Sequence, residues 1–357
     1  MPDPVHLDAP SLQKFLDGTE PDRHGTVVSF RPVSGGYSRL TAITTVTWGD
    51  GTDEAMVLRA DPPPGSGIFH SDRDAEWHFL RAMHGRAPVR TARPRYYDAT
   101  GEYFGAKCIA VEFFAGRPLP ELAKSGASGA VDRAREIFVD TAAKIHSTPI
   151  DVLPPDMARP PDWSTYIDEL VEFLRTIDDS VSDSNPALHY AAAQLKEHRP
   201  PPVPLTLVHG DFQPANLLVA DWADWADWAD WADWADWIDG SGGDPLVIDW
   251  EFARIGDPRE DLGYYSQLKL PPNLYETDPD GFLARYREHT GLTEEQINRD
   301  TIEYFYLLGM ARLLGQLIHA ADDLYRGNPR GVMATYLFNA ISDAMHRFFD
   351  IARRLAS

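Results

Sequence analysis

One stretch limits the fold of this chain more than any other: HGDFQPAN at residues 209–216, followed later by VIDWE at residues 247–251. Asp211 and Asn216 are separated by four residues in a proline-containing loop. Apolar runs enter and leave this loop, and Asp249 ends a further short apolar run. The pattern predicts a rigid loop beside strand ends, with two carboxylates and an amide nearby.

This set of side chains matches what phosphoryl transfer from a nucleotide requires. A carboxylate must orient the attacking hydroxyl and accept its proton. An amide oxygen and a second carboxylate must hold Mg²⁺ against the phosphates, because hard cations prefer oxygen ligands. The protein mainly positions groups and neutralises charge in this reaction. A nucleotide-dependent phosphotransferase is therefore the first functional hypothesis.

The texture of the chain changes near residue 116. Residues 26–115 contain β-rich runs around one amphipathic helix, predicted over residues 72–85. Most of the later sequence has helical periodicity, with long apolar-periodic segments at 300–325 and 332–355. We predict an α+β fold with two lobes, a β-rich one over 1–115 and a mainly helical one over 116–357.

Composition narrows the class of protein. The chain has 357 residues, which favours two domains or lobes. A net charge of −22 disfavours nucleic-acid and anionic-membrane partners and mildly favours cationic ligands. The single cysteine, Cys108, excludes an internal disulfide. Neither a signal-peptide pattern nor an apolar run of about 18 residues is present, so we expect a cytoplasmic protein.

The paired motifs resemble those of the aminoglycoside phosphotransferase/choline kinase-like family, whose members are relatives of protein kinases. The His-x-Asp-x-x-x-x-Asn spacing is that of the kinase catalytic loop. Ile-Asp-Trp-Glu stands where kinases have Asp-Phe-Gly. The resemblance runs from about residue 26 to the final helices. It implies a protein kinase-like fold and phosphoryl transfer to a small molecule.

The resemblance also implies roles for individual residues. Asp211 matches the catalytic base, and Asn216 and Asp249 match the Mg²⁺ ligands. Glu251 is a weaker candidate to support that metal site. ATP, with GTP as an alternative, would be the donor, and a small-molecule hydroxyl the acceptor. No nucleic-acid or membrane partner is expected.

The nucleotide-covering side is assigned by the same resemblance. Arg59 matches the basic residue of the third strand, where kinases have lysine, and Glu76 matches the acid that pairs with it. Helical spacing independently places Glu76 on the apolar face of its helix. The phosphate-covering loop, which lacks the full glycine pattern, and the adenine hinge would include Ser34, Gly35, Gly36, Glu112 and Phe113.

Other polar residues favour structural roles. His209 is expected to pack the loop rather than carry protons. Asp257 and Asp261 fit the family pattern but are also suited to capping the next helix. His146, at the end of a predicted helix, is expected to pack or cap. An ordinary surface ion pair is the alternative for Arg59 and Glu76.

A low-complexity repeat separates the two motifs. Residues 220–237 are six copies of Ala-Asp-Trp, which hold six of the ten tryptophans. A period of three gives neither a helix nor a strand one apolar face, so we predict a non-functional insertion over 220–243. The tip of a hairpin with arms 217–219 and 246–248 would carry it. A protein partner for the tryptophans is the less favoured alternative.

Two further questions stay open in the sequence. A nucleotide-binding pseudokinase without transfer activity is the alternative function, supported by Arg59 and the abbreviated glycine loop. The acceptor is not determined. The third strand and the Ile-Asp-Trp-Glu motif resemble a broad branch of the family that also occurs fused to acyl-CoA dehydrogenases, so resistance to antibiotics is not predicted.

Overall fold

The computed structural model describes residues 5–33, 40–61, 72–180, 186–220, 244–267, 273–325, 327, 346 and 348–354. Predictions for Ser34, Gly35 and Gly36 fall outside these residues, as does nearly all of the repeat and of the predicted insertion. The chain divides into two compact units. Unit 1 comprises 1–86 with 91–115, and unit 2 comprises 87–90 with 116–357.

Unit 1 contains a five-stranded antiparallel sheet, in the order β1 (Thr26–Val33), β2 (Leu40–Thr47), β3 (Asp53–Ala60), β6 (Cys108–Glu112) and β5 (Pro94–Asp98). The other elements of the unit are α1 (Ala9–Thr19), α2 (Arg73–Met83) and β4 (Arg90–Thr91, at the boundary of the units).

Alternating burial explains how this sheet forms its core. Along β2, Ala42, Thr44 and Val46 are buried, whereas their neighbours are more exposed. One face of the sheet packs with α1 around buried side chains that include Phe15 and Leu58. A strand buried on one face needs this period of two.

Helix α2 carries the predicted acidic residue into the interior. The Asp72 side chain caps the helix by accepting a hydrogen bond from Asp74 N at 2.9 Å. Phe79, Leu80 and Met83 are buried, and Glu76 is also only 3% exposed. The prediction that Glu76 shares the apolar face is confirmed.

Unit 2 is mainly helical. Its strands β9 (Leu217–Ala220) and β10 (Leu246–Val247) form the predicted antiparallel hairpin, with Leu217 opposite Val247. The other elements are β7 (Gly116–Pro118), α3 (Leu119–Ala123), α4 (Ala130–His146), α5 (Trp163–Ser180), α6 (Pro186–Glu197), β8 (Thr206–Val208), β11 (Arg254–Gly256), α7 (Arg259–Gln267), α8 (Pro279–Thr290) and α9 (Arg299–Tyr325). Most of the helix predicted at 332–355 lies outside the described residues.

The core of unit 2 is built from helices. Side chains of α5, α6 and α9 form one buried cluster, which includes Ile167, Leu195 and Leu307. The α+β class is therefore confirmed. Within the described ranges, no helix combines the length and the hydropathy that a bilayer crossing needs.

Candidate active site

The 209–216 loop begins where β8 ends, and its first turn depends on a glycine. Gly210 has a φ of +83°, in the left-handed region that glycine tolerates. A Cβ at this position would lie 2.6 Å from both the Phe252 carbonyl oxygen and Arg254 Nη1. The close approach of these groups therefore requires glycine before Asp211.

A buried carboxylate holds the backbone of this loop. Asp261, in α7, accepts hydrogen bonds from His209 N and Gly210 N, both at 2.8 Å. His146 Nε2 lies 3.1 Å from Asp261, and its Nδ1 lies 2.6 Å from the Tyr286 hydroxyl. Although burial opposes ionisation, the hydrogen bond from His146 lowers the pKa of Asp261.

These contacts revise two expectations. Asp261 does not cap a helix end but connects α7 to the backbone of the 209–216 loop, and His146 supports Asp261. Asp257 has the expected local role, since its carboxylate accepts a hydrogen bond from Arg259 N at 2.9 Å. Sequence spacing could not reveal the Asp261 contact, because the partners are about fifty positions apart in the chain.

His209 connects the two motifs through packing. Its ring is fully buried, and Nε2 lies 2.9 Å from the carbonyl oxygen of Ile248. The ring centroid is 4.6 Å from that of Trp250. The predicted structural role of His209 fits this position.

Several side chains donate hydrogen bonds to the Asp211 carboxylate. Gln213 Nε2 lies 3.1 Å and 3.2 Å from its two oxygens, and Asn216 Nδ2 lies 3.0 Å from one of them. The Tyr264 hydroxyl, from α7, donates a further bond. Burial raises the pKa of Asp211, and the bond from Tyr264 partly opposes that rise. Sequence reasoning missed both Tyr264 and Gln213 as partners.

Asn216 and Asp249 lie at adjoining ends of the β9–β10 hairpin. Ile248 N donates to the Asn216 carbonyl oxygen at 3.0 Å, which ties the two loops together. Asp249 has a φ of +69°, a left-handed conformation that aspartate tolerates better than most residues. The charge of Asp249 contributes to the raised pKa of Asp211, so the two carboxylates interact. Half-buried Glu251 follows in the short turn Trp250–Phe252.

The donor set fits a magnesium ion held together with phosphates. Asn216 Nδ2 donates to Asp211, so its amide oxygen is the atom left for a cation. A cation would also reduce the repulsion between Asp211 and Asp249. The described residues contain no cluster of three or more His, Cys, Asp or Glu side chains suited to a metal. That finding is compatible with Mg²⁺, which commonly uses only one or two carboxylates plus substrate phosphates.

Unit 1 contains the predicted basic–acidic pair. Arg59 Nη1, on β3, lies 2.8 Å from Glu76 Oε1, on α2. A second cation, Arg73, contacts the other Glu76 oxygen and lies 3.0 Å from Asp61 Oδ1. Glu76 is 3% exposed, so the pair is not an ordinary surface ion pair. Sequence reasoning missed Arg73, whose only signal was a charged residue one helical turn before Glu76.

The two hinge residues are already engaged in the sheet through their amides. Glu112 N donates to the Arg93 carbonyl oxygen at 2.9 Å, and Phe113 N donates to the Ala55 carbonyl oxygen at 3.1 Å. Adenine recognition through these two N–H groups therefore gains no support. Phe113 is 40% exposed, so its ring is accessible within unit 1.

Comparison with known proteins decides the family. Residues 29–234, more than half of the chain, match the family described as Phosphotransferase enzyme family. The chain belongs to this phosphotransferase family. The predicted resemblance and the prediction of a phosphotransferase enzyme are thereby confirmed.

Solved structures show the fold of this phosphotransferase. One solved structure is that of a Ralstonia eutropha protein described as an aminoglycoside phosphotransferase. It aligns with a TM-score of 0.66 at 18% identity, covering 97% of this chain and 98% of the other. A thermostable mutant of aminoglycoside phosphotransferase APH(4)-Ia, in complex with ADP and hygromycin B, has a TM-score of 0.60 at 16% identity, covering 96% and 98%. The predicted kinase-like fold is confirmed.

A curated relative is a much longer protein. Acyl-CoA dehydrogenase family member 11 of Gallus gallus is 22% identical over 361 residues, which cover 98% of this chain. The chain spans 43% of that relative's length. The name of this relative agrees with the predicted resemblance to the branch that occurs fused to acyl-CoA dehydrogenases.

Proposed function

We propose that this phosphotransferase transfers the γ-phosphoryl group of ATP to a hydroxyl of a small molecule. The observation that carries the proposal is the half-buried Asp211 carboxylate, which lies in a loop whose backbone is fixed by Asp261 and which accepts hydrogen bonds from Gln213 and Asn216. Asn216 and Asp249 lie on the adjoining hairpin. The neighbour that holds ADP and hygromycin B supports a nucleotide donor and a small-molecule acceptor.

Asp211 acts as the base in this proposal. As the acceptor oxygen forms its bond to the γ-phosphorus, Asp211 takes the hydroxyl proton. The bond from that phosphorus to the β-phosphate oxygen breaks, and ADP leaves with the electron pair. A pKa raised by burial suits this task, because a stronger base accepts a proton more readily near neutral pH.

Asn216 and Asp249 would hold Mg²⁺ through an amide oxygen and a carboxylate. The bound ion supplies neutralisation of the phosphate charge during transfer. Two features of the backbone position Asn216 and Asp249. Ile248 N donates a hydrogen bond to the Asn216 carbonyl oxygen, and Asp249 begins the turn after β10. Glu251 follows in that turn as a further candidate to support the ion.

Arg59 would bind nucleotide phosphates from unit 1. Glu76 orients its guanidinium, and Arg73 shares the charge of Glu76. An arginine offers a planar fork of donors, which suits phosphate oxygens as well as the lysine of kinases does, although with different reach. Arg59 stands where kinases have lysine, and it keeps the ion pair with the buried Glu76. The retained ion pair argues against the pseudokinase alternative.

A product screen tests the proposed function. The protein is incubated with MgATP or MgGTP and a panel of hydroxylated metabolites and antibiotics, and phosphorylated products are detected by mass spectrometry. We expect at least one product, which disappears when EDTA removes the metal. Nucleotide binding without any product across the panel would instead support the pseudokinase alternative.

The cytoplasmic location of the protein remains a prediction from the sequence.

A further inference from the structure

A group of charged side chains beside the Asp211 loop has more positive than negative charge. Arg254, on β11, and Arg312, on α9, contact the same carboxylate oxygen of Glu260, at 2.6 Å and 3.4 Å. Glu260 is the only carboxylate within ion-pair distance of either arginine among the described residues. Two guanidiniums and one carboxylate leave one net positive charge, and we call these three residues the arginine pair site.

The position of Glu260 is fixed by buried polar partners. The Tyr166 hydroxyl donates to Oε1 of Glu260, and Asp257 N donates to the same oxygen at 3.2 Å. Glu260 is 8% exposed and Tyr166 is 5% exposed. A carboxylate held this firmly places the two guanidiniums rather than following them.

The two arginines differ in how firmly they are held. Arg254 also donates to the Phe252 carbonyl oxygen at 3.1 Å and to the Tyr166 hydroxyl at 3.3 Å. Arg312 has only its long contact with Glu260 among the described residues. The side chains remain 28% and 31% exposed, so both can reach a solute. Burial, and to a smaller extent the charge of Arg254, lower the pKa of Arg312, whereas Glu260 raises the pKa of Arg254.

The arginine pair site adjoins the candidate base. Arg254 Nη1 would lie 2.6 Å from a Cβ on Gly210, the residue before Asp211. It also contacts the carbonyl oxygen of Phe252, three residues after Asp249. Arg254 therefore lies directly beside the backbone of the residue that precedes Asp211.

We propose that Arg254 and Arg312 bind an anionic group of the acceptor, so that this phosphotransferase acts on hydroxylated carboxylates or phosphates. The inference rests on the proposed function of Asp211. Arginine forks suit both kinds of oxyanion. The overall charge of −22 favours cationic ligands only at long range, whereas specificity is decided by the groups that contact the acceptor.

A binding experiment tests the proposal without requiring phosphoryl transfer. The thermal unfolding midpoint is measured against rising concentrations of butyrate, methyl phosphate or neutral butyramide, at constant ionic strength. We expect at least one anion to raise the midpoint, whereas butyramide does not. Arg312→Met should weaken the apparent affinity by about tenfold or more, the size expected for a hydrogen bond to a charged group.

Matched variants separate this site from other cationic sites. Arg299→Met removes another arginine of α9 that also has one ion-pair partner, Asp280, and it should leave anion binding unchanged. Arg312→Lys should restore part of the affinity. The proposal is overturned when neither anion stabilises the protein more than chloride does, or when Arg312→Met responds like the wild type.

A turnover experiment identifies the kind of anion. Hydroxy acids and hydroxyalkyl phosphates of two to six carbons, about the reach of one side chain, are compared with their neutral amides and with amino alcohols. We expect one anionic series to be preferred, with Arg312→Met raising KM more than it lowers kcat. Absence of all turnover, with anion binding intact, would contradict the proposed phosphoryl transfer and leave the binding result standing.

Discussion

The 209–216 loop and the Arg59–Glu76 pair place their functional groups by different physical means. The loop is irregular, and the backbone N–H groups of His209 and Gly210 donate hydrogen bonds to the carboxylate of Asp261, which is far away in the sequence. Arg59 lies on a strand and Glu76 on a helix, and the backbone N–H and C=O groups of these elements form the regular hydrogen bonds of the sheet and the helix. The loop therefore needs buried polar anchors from elsewhere in the chain, whereas the pair needs only two regular elements.

This difference predicts where substitutions separate stability from function. Removing an anchor of the loop leaves buried donors unsatisfied, so folding and activity should fail together. Changing Arg59 leaves the strand and helix intact, so nucleotide binding should change with little effect on folding.

The largest expected effect follows removal of the loop anchor. Asp261→Ala leaves His146 and two backbone N–H groups without their shared acceptor. Loss of one partner from a buried charged network costs about 3–5 kcal/mol, which urea unfolding would measure as a lower midpoint. Asp280→Ala is the control, because it removes an exposed ion-pair partner of Arg299 and should change the midpoint little. Equal stabilities of the two variants would contradict the anchoring role.

A smaller, purely functional effect is expected in unit 1. Arg59→Met removes the proposed phosphate-binding cation but leaves Glu76 paired with Arg73. We expect KM for the nucleotide to rise about tenfold or more, the size of a lost charge-assisted hydrogen bond, with little change in the urea midpoint. Arg59→Lys, which retains the charge, should lie between the two. A large loss of stability without a change in KM would show that Arg59 is structural.

The smallest effect concerns the pH dependence of the base. Tyr264 donates a hydrogen bond that lowers the otherwise raised pKa of Asp211. Tyr264→Phe removes that bond, so the pKa rises further and the carboxylate is protonated up to a higher pH. The acid limb of kcat/KM should move to higher pH by less than about one unit, because one hydrogen bond is worth about 1 kcal/mol. A shift to lower pH would contradict this assignment.

The sequence could indicate which groups within short motifs are proposed to carry chemistry, but not the groups that hold them in place. Asp211 and Asn216 have the His-x-Asp-x-x-x-x-Asn spacing, Asp249 ends a short apolar run, and Glu76 has a helical period. Such regularities can be recognised in the amino-acid sequence alone. Asp261, Tyr264 and His146 reach the loop only because α7 and α4 pack around it. Such contacts depend on tertiary packing, which no local spacing records.

The fold shows the same limit. Period-two and helical patterns predicted the β-rich and helical parts, and the hairpin arms 217–219 and 246–248 pair as expected. The predicted loop residues Ser34, Gly35 and Gly36 lie between the end of β1 at Val33 and the start of β2 at Leu40. Arg73 was overlooked because charged residues at the start of a helix are usually solvated, whereas this one is 1% exposed.

In the proposed reaction, Asp211 accepts the proton of the acceptor hydroxyl and does not bind the nucleotide. Asp211→Asn retains the size of the side chain but removes its basicity. Nucleotide affinity and turnover are then measured on the same preparation, with the acceptor that the product screen identifies. We predict an unchanged nucleotide Kd and a loss of about a hundredfold or more in kcat. Turnover equal to that of the wild type would contradict the proposed role of Asp211 as the base.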